Sequence, residues 1–297
     1  MVRLSGTGIW SGGLRYGDAG EAVEAAAELE SLGYSALWIP DAGGDLFSSV
    51  ERLLRATTGI TVATGILNLW MHTPEETAEA YAGFTDTYGD RLLVGIGVSH
   101  APLIDATEPG RYRNPLASTA GFLDGLDAAV RPLPSDRRVL AALGPKMLEL
   151  ARQRTAGTHP YNVTPEHTAL AREAIGADGL VLPEQAVALE RDPTRARALG
   201  RTHLSFYFSL PNYVNNLRRL GFGDEDFADG GSDRLVDALV AWGDEDSIRE
   251  RIDLHRAAGA DHVCIQVLTD TEASGLPLAQ WRQLAPALVD SGGNGAV

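Results

Sequence analysis

Three of the seven histidines stand where predicted β-strands end, namely His72, His100 and His159. His100 comes three residues after Gly97, at the end of an apolar run over 92–97. An imidazole titrates at about pH 6.5, so a histidine at a strand end can accept or release a proton near neutral pH. We predict His100 as the acid/base group of a catalytic site. The alternative for each of the three is a solvated loop histidine.

A second candidate site is marked by the single lysine, Lys146, which follows Gly144-Pro145 where a helix is predicted to begin. The free N–H groups of a helix N-terminus bind anions, and a lysine there adds a point charge. This arrangement predicts an anion site, such as one for phosphate, in the turn after the fifth strand. The alternative is a solvated lysine in the first helical turn.

A metal site would require several polar side chains that follow different strands to converge. The candidates are Asp41, His72, His100, His159 and Glu184. No two of these histidines share a local ligand spacing, and the chain has one cysteine, Cys264. We therefore predict no metal site.

The elements that carry these residues follow a repeated pattern, in which a helical stretch ends near a glycine and a short apolar run follows. Glycine suits the left-handed conformation that ends helices. Uniformly apolar strands are buried on both faces and are typically parallel. Helix starts fit Thr73-Pro74 and Thr164-Pro165. The eight predicted strands are 4–10, 35–39, 60–66, 92–97, 138–142, 157–161, 179–187 and 262–268.

Eight alternating strand–helix units in a chain of 297 residues are typical of a (β/α)8 TIM barrel. We predict one domain over 1–297, with a helical insertion at 192–243 between strands seven and eight, and a frayed tail at 291–297. An open doubly wound sheet, the alternative, would carry a glycine-rich phosphate loop after strand one. That loop reads WSGGLRYG, and the chain lacks the G-x-G-x-x-G, P-loop and G-x-S-x-G motifs.

Composition and net charge limit the kinds of molecule that the protein is expected to bind. The net charge is −15 and the pI is about 4.8, which disfavours nucleic acid and anionic membranes as partners. The N-terminus has no apolar signal-peptide core, and no apolar run reaches the roughly 18 residues of a membrane helix. We expect a soluble, cytoplasmic protein that acts on a small molecule.

The strand-end sequences resemble the luciferase-like monooxygenase superfamily, and within it the coenzyme F420-dependent oxidoreductases. The stretches that carry the resemblance are ALWIPD (36–41), VATGILN (62–68), LVGIGVSH (93–100), ALGP (142–145), AGTHPY (156–161) and AGADHV (258–263). They run from the first strand to the last in the family's order.

The resemblance implies a luciferase-like barrel in which hydride passes between C5 of the deazaflavin F420 and an unidentified small organic substrate. It implies a strand-three bulge with a non-prolyl cis peptide bond, here Gly65-Ile66, that backs the ring. It also implies a phosphate pocket at the turn after strand five, and a homodimer. The cofactor-binding residues predicted on this basis are Asp41, Gly65, Ile66, Asn68, Ser99, Leu143, Gly144, Lys146, Met147 and His159.

One departure from the family argues against a sugar-phosphate substrate. Where sugar-phosphate dehydrogenases of this family have a histidine after strand two and a glutamate after strand four, this chain has Ala42 and His100. Three alternatives to an F420-dependent oxidoreductase stay open: an FMN-dependent monooxygenase, a non-catalytic flavin or deazaflavin carrier, and a metal-dependent hydrolase. The insertion is predicted to shape the substrate pocket, or merely to form loops, through Asn212, Tyr213, Asn215 and Asn216.

Overall fold

The computed structural model describes residues 4–270 and 275–289, so the predicted tail at 291–297 lies outside the described residues. Within them, all the paired strands run parallel. The strands are β1 (Gly6–Trp10), β2 (Ala36–Ile39), β3 (Thr61–Thr64), β4 (Leu67–Asn68), β5 (Leu92–Gly97), β6 (Arg138–Leu140), β7 (Gly157–Thr158), β8 (Leu180–Val181), β9 (Glu184–Ala188), β10 (Val240–Trp242) and β11 (His262–Val267).

Helices connect the strands and cover the outside of the sheet. They are α1 (Gly13–Tyr16), α2 (Ala19–Ser31), α3 (Leu46–Ala56), α4 (Pro74–Tyr88), α5 (Ala101–Thr107), α6 (Pro115–Ala128), α7 (Pro145–Arg154), α8 (Pro165–Ile175), α9 (Pro193–Leu204), α10 (Pro211–Arg219), α11 (Asp233–Leu239), α12 (Glu245–Ala257) and α13 (Leu278–Leu288). Thr73 caps α4 as predicted, since its side chain accepts a hydrogen bond from the Glu76 N–H at 3.1 Å. None of the described helices has the length and apolar character needed to cross a membrane.

The sheet closes into a barrel through the two residues Leu182 and Pro183, which join β8 to β9. β8 pairs with β7, and β9 pairs with β11, which in turn pairs with β1. The Leu182 N–H donates to the Thr158 carbonyl at 2.9 Å, and the Cys264 N–H donates to the Pro183 carbonyl at 3.1 Å. The segment 180–188 is therefore one bent strand that pairs with β7 through β8 and with β11 through β9. The predicted (β/α)8 barrel is confirmed.

Successive side chains of a strand point to opposite faces of the sheet, so the protein has two cores, one between the sheet and the helices and one inside the barrel. In β2, Leu37 and Ile39 pack against the helices, whereas Ala36 and Trp38 point into the barrel. The residues that fill the barrel are Ala36, Trp38, Ala63, Leu93, Val139, Leu182 and Cys264, with others. Because both faces of each strand are buried, the strands read as continuous apolar runs, which is why they could be found in the sequence.

Two elements differ most from the prediction. The sixth strand, predicted over 157–161, is reduced to the two residues of β7, because Pro160 has no N–H to continue the ladder. The insertion, predicted as helical over 192–243, ends in a strand, β10, which pairs with β9 on its outer edge. The rest of the insertion is α9, α10, α11 and two 3-10 turns, Tyr207–Ser209 and Asp224–Gly230.

Candidate active site

A cavity of about 940 Å³ opens where the strands end, on the face where barrel enzymes hold their chemistry. Seven of the predicted site residues line it: Asp41, Gly65, Ile66, Ser99, His100, Leu143 and His159. Asn68, Gly144, Lys146 and Met147 are not part of the lining. The barrel topology thus gathers side chains from β2, β3, β5, β6 and β7 around one space.

The floor of the cavity is the bulge between β3 and β4. The Gly65-Ile66 peptide bond is cis, as the family resemblance implies. The Gly65 carbonyl accepts a hydrogen bond from Trp10 Nε1 at 2.8 Å. A Cβ at position 65 would lie 2.7 Å from Trp10 Nε1 and 3.0 Å from His159 Nε2. Glycine is therefore required here by the close approach of Trp10 and His159.

Asp41 reaches the cavity from the end of β2 and is held from behind. Its Oδ2 accepts hydrogen bonds from the Asn68 N–H at 3.1 Å and from His72 Nε2 at 3.0 Å. Asn68 and His72 thus fix the carboxylate without lining the cavity themselves. The backbone N–H of Asn68 thus positions Asp41, while contact of the Asn68 side chain with a cofactor stays a prediction.

His100 stands at the N-terminus of α5, next to Ser99, whose φ of 52° turns the chain into the cavity. Its ring lies 5.7 Å from that of Tyr213 and 6.0 Å from that of Phe206, measured between centroids. Burial lowers the pKa of His100 to about 4, and its Nδ1 has no hydrogen-bond partner among the described residues. The premise of an ordinary pKa was wrong: the ring is neutral at pH 7 and can accept a proton.

His159 is fixed in one tautomer. Its Nδ1 donates to the Leu182 carbonyl at 2.7 Å, and its ring stacks on Trp38 at 4.2 Å. Burial lowers the pKa of His159 to about 4, so Nε2 carries a lone pair. That atom is buried, has no partner within the described part of the chain, and faces the Gly65 backbone. It offers a fixed hydrogen-bond acceptor at the cavity floor.

The predicted anion site after strand five has a component that the sequence did not reveal. Lys146 is exposed, whereas Arg219 of α10 lies beside the same turn, its NH2 3.9 Å from where a Cβ of Gly144 would stand. Arg219 NH2 bonds Asn216 Oδ1 at 3.2 Å, and the Nδ2 of Asn216 is buried without a partner in the described chain. A cation from the insertion therefore lies beside the turn at the N-terminus of α7, and it is bonded to an amide whose own donor has no partner among the described residues.

Rings of the insertion also line the cavity and pack against His100 and Tyr161. The six rings, here called the aromatic cluster, are His100, Tyr161, His203, Phe206, Tyr207 and Tyr213. Tyr207 and Tyr213 lie 5.1 Å apart, and Tyr207 Oη donates to Tyr161 Oη at 3.2 Å. Of the predicted pocket residues of the insertion, Asn212 and Tyr213 line the cavity, whereas Asn215 is exposed and outside the lining. His203 of α9 also lines the cavity, and no sequence motif marks it as a site residue.

No group of three His, Cys, Asp or Glu side chains in the described residues is arranged to hold a metal ion. Apart from His100, the metal candidates of the sequence have other hydrogen-bond partners. His72 bonds Asp41, His159 bonds the Leu182 carbonyl, and Glu184 Oε2 accepts from the Asn162 N–H at 3.2 Å.

Glu184 is fully buried inside the barrel, and burial raises its pKa from 4.5 to about 8. Between those values the folded chain binds more protons than the unfolded chain, so stability falls as pH rises from 4.5 to 8. The shift corresponds to a penalty of up to about 5 kcal/mol above pH 8. We expect Glu184→Gln to remove this loss, so that its melting temperature exceeds that of the unaltered protein by several degrees more at pH 9 than at pH 5.

Thermal unfolding followed by circular dichroism at both pH values measures this difference. Glu173→Gln, on the exposed side of α8, is the matched control because it removes a carboxylate from the surface. Equal pH dependence of Glu184→Gln and the unaltered protein would contradict the expectation.

Comparison with known proteins identifies the class that this barrel and cavity define. The luciferase-like monooxygenase family model matches residues 4–262. The chain therefore belongs to the luciferase-like monooxygenase family, and it is an oxidoreductase. A Mycobacterium tuberculosis protein named as a proposed coenzyme F420-dependent oxidoreductase is 23% identical over 305 residues, covering 80% of this chain and 88% of that protein.

Solved structures share the fold at low sequence identity. An F420-dependent secondary alcohol dehydrogenase, in complex with an F420–acetone adduct, superposes with a TM-score of 0.73 at 15% identity, covering 96% of this chain and 99% of that one. The oxygenating constituent of 3,6-diketocamphane monooxygenase from Pseudomonas putida, in complex with FMN, has a TM-score of 0.70 at 13% identity and covers 96% of each chain. The fold is thus shared by deazaflavin and flavin enzymes.

Proposed function

We propose that this protein is an F420-dependent oxidoreductase that transfers a hydride between deazaflavin C5 and a small organic substrate. The observation that carries the proposal is one cavity lined both by His100, whose buried Nδ1 has no partner among the described residues, and by the Gly65-Ile66 bulge that follows β3. The family membership and the Mycobacterium tuberculosis relative support it. F420 supplies the carbon that accepts or donates the hydride, and the protein supplies binding, orientation and proton transfer.

The residues present fit such a cofactor. A flat ring needs a floor without protruding side chains, which Gly65 provides, and the lone pair of His159 Nε2 can accept from a ring N–H. A phosphate needs donors and positive charge, which the Gly144 turn, Asn216 Nδ2 and Arg219 provide. These two sets adjoin through Leu143, which lines the cavity directly before Gly144.

The remaining functions are proton transfer, by His100, and the exclusion of water, by other rings of the aromatic cluster. His100 accepts the hydroxyl proton of a substrate while the hydride leaves the neighbouring carbon, since its imidazole is neutral above about pH 4. The rings of Phe206, Tyr207 and Tyr213 exclude water from the space above the floor. Asp41, held by Asn68 and His72, presents a fixed carboxylate to polar edges of a bound ring.

An FMN-dependent monooxygenase is the second candidate, favoured by the fold shared with the FMN enzyme of Pseudomonas putida. Titration of the purified protein with oxidised F420 and, separately, with FMN distinguishes the two, with fluorescence as the readout. We expect tight F420 binding and weak FMN binding. The reverse order, with oxygen consumption in the presence of reduced FMN, would replace the proposal by the monooxygenase.

Arg219 tests the anion site in the same titration. Arg219→Ala should weaken F420 binding about tenfold, because it removes the cation that faces the N-terminus of α7. Arg218→Ala is the matched control, since Arg218 points away and pairs with Asp224 at 2.5 Å. If both variants bind F420 equally well, the anion site does not hold the cofactor phosphate.

A further inference from the structure

The charges of the side chains that line the cavity indicate a class of substrate. We propose that the aromatic cluster selects uncharged, predominantly apolar alcohols and ketones, of aromatic or alicyclic shape, that present one oxygen to His100. This inference rests on the proposed function and adds the substrate class to it. It also implies that phosphorylated and carboxylated compounds are excluded.

The first support is the absence of a cation. Among the described residues that line the cavity, there is no lysine or arginine, and Asp41 is the one acidic residue. A substrate anion placed there would lose its hydration without gaining a partner of opposite charge, which is costly in a desolvated site. Arg219 lies beside Gly144 in the turn after β6 and is not part of the cavity lining, so the proposed function assigns it to the cofactor phosphate.

The second support is the protonation of the rings. Burial lowers the pKa values of His100 and His203 to about 4 and raises that of Tyr207 to about 12. Burial also raises the pKa values of Tyr161 and Tyr213. The aromatic cluster is therefore uncharged between about pH 5 and pH 9, and its faces make favourable contacts with apolar rings.

The third support is the distribution of hydrogen-bonding atoms. Tyr207 donates to Tyr161, Tyr161 donates to Gln266 Oε1 at 2.6 Å, and His203 Nε2 bonds Asn162 Oδ1 at 3.2 Å. These polar atoms are already paired, whereas the buried Nδ1 of His100 has no partner in the described chain. Within the aromatic cluster, the Nδ1 of His100 is therefore the buried atom left for one polar substrate group.

The entrance of the cavity is also apolar. Leu103 and Phe206 line the cavity and are 44% and 42% exposed, so two apolar side chains stand at its rim. With an alcohol substrate, the C–H bond would break and its hydrogen would leave with the electron pair as a hydride, which the proposed F420 would accept. The O–H proton would pass to His100, and the C=O bond would form. The carbon is oxidised by two electrons and the cofactor is reduced by two, so the step balances with the oxidant already proposed.

Calorimetric titration of matched neutral and anionic ligands tests this selection. The pair is 4-nitroacetophenone and 4-acetylbenzoate, which differ mainly in charge, with acetophenone and cyclohexanone as further neutral ligands. The protein is used without cofactor and again when loaded with whichever cofactor it retains. We expect the nitro compound to bind at least about tenfold more tightly than the carboxylate. Equal binding, tighter binding of the carboxylate, or no binding of any neutral ligand would overturn the proposal.

A substitution at the rim provides an independent test. Phe206→Arg places a cation at the aromatic cluster and should reduce the preference for the neutral ligand, whereas Leu170→Arg, on exposed α8, should leave it unchanged. An unchanged preference in Phe206→Arg would count against the proposal. Because the ligand preference is measured with and without cofactor, failure of F420 binding would refute the cofactor assignment alone and leave the substrate class to be judged by its own data.

Discussion

Replacing His100 by alanine should lower kcat for alcohol oxidation by about a hundred- to ten-thousand-fold, while F420 binding stays nearly unchanged. The variant removes the one cavity imidazole whose Nδ1 has no partner among the described residues. The substrate hydroxyl proton would then have no acceptor as the hydride departs. Steady-state rates with a neutral alcohol, together with the fluorescence titration, measure the two effects separately.

The pH profile identifies the group that acts. Because burial lowers the pKa of His100 to about 4, the base is active above that value. We expect oxidation rates to be flat from about pH 5 upward until other groups titrate, and to fall as pH drops through about 4. His100→Gln keeps a polar side chain that does not titrate in this range, so it should lose both the rate and the acid limb. Wild-type rates in His100→Ala, with the same profile, would exclude this role.

The barrel was predictable because its strands are buried on both faces. The run predicted at 92–97 matches β5 residue for residue, and that at 262–268 exceeds β11 by one residue. Both strands are covered by helices outside and by side chains inside, so apolar residues or glycine fill all positions of β5 and all of β11 except His262 and Gln266. β10 escaped prediction because Val240–Trp242 follows α11 without a break, and three apolar residues after a helix read as its continuation.

The site was predictable only where a strand carries it. Parallel strands of a barrel must end on one face, so Asp41, His100 and His159 were bound to meet once the strands were found. Tyr207 and Arg219 depend instead on how α9 and α10 fold over that face, which no local spacing encodes. The low pKa of His100 could not be predicted from local spacing either, because rings that bury this histidine come from the insertion.

The second large effect is expected from Gly65→Ala, which should weaken F420 binding about a hundredfold and lower the melting temperature by a few degrees. The added methyl would stand 2.7 Å from Trp10 Nε1 and 3.0 Å from His159 Nε2, so one of these rings must move. Either movement changes the floor on which the cofactor ring lies, and overpacking of this kind typically costs about 1–3 kcal/mol. Fluorescence titration and thermal unfolding measure the two losses.

Two further variants separate the local clash from a general effect of adding a methyl group. Gly83→Ala lies within α4, where the new methyl would meet nothing within 4 Å, so F420 binding should be unchanged. Trp10→Phe removes the Nε1 atom that the methyl of residue 65 would strike. The double variant should therefore lose less affinity than the sum of the two single losses, because the two residues are in contact. If Gly65→Ala binds F420 as tightly as the unaltered protein, Trp10 and His159 can retreat without moving the cofactor ring, and the floor does not set the affinity.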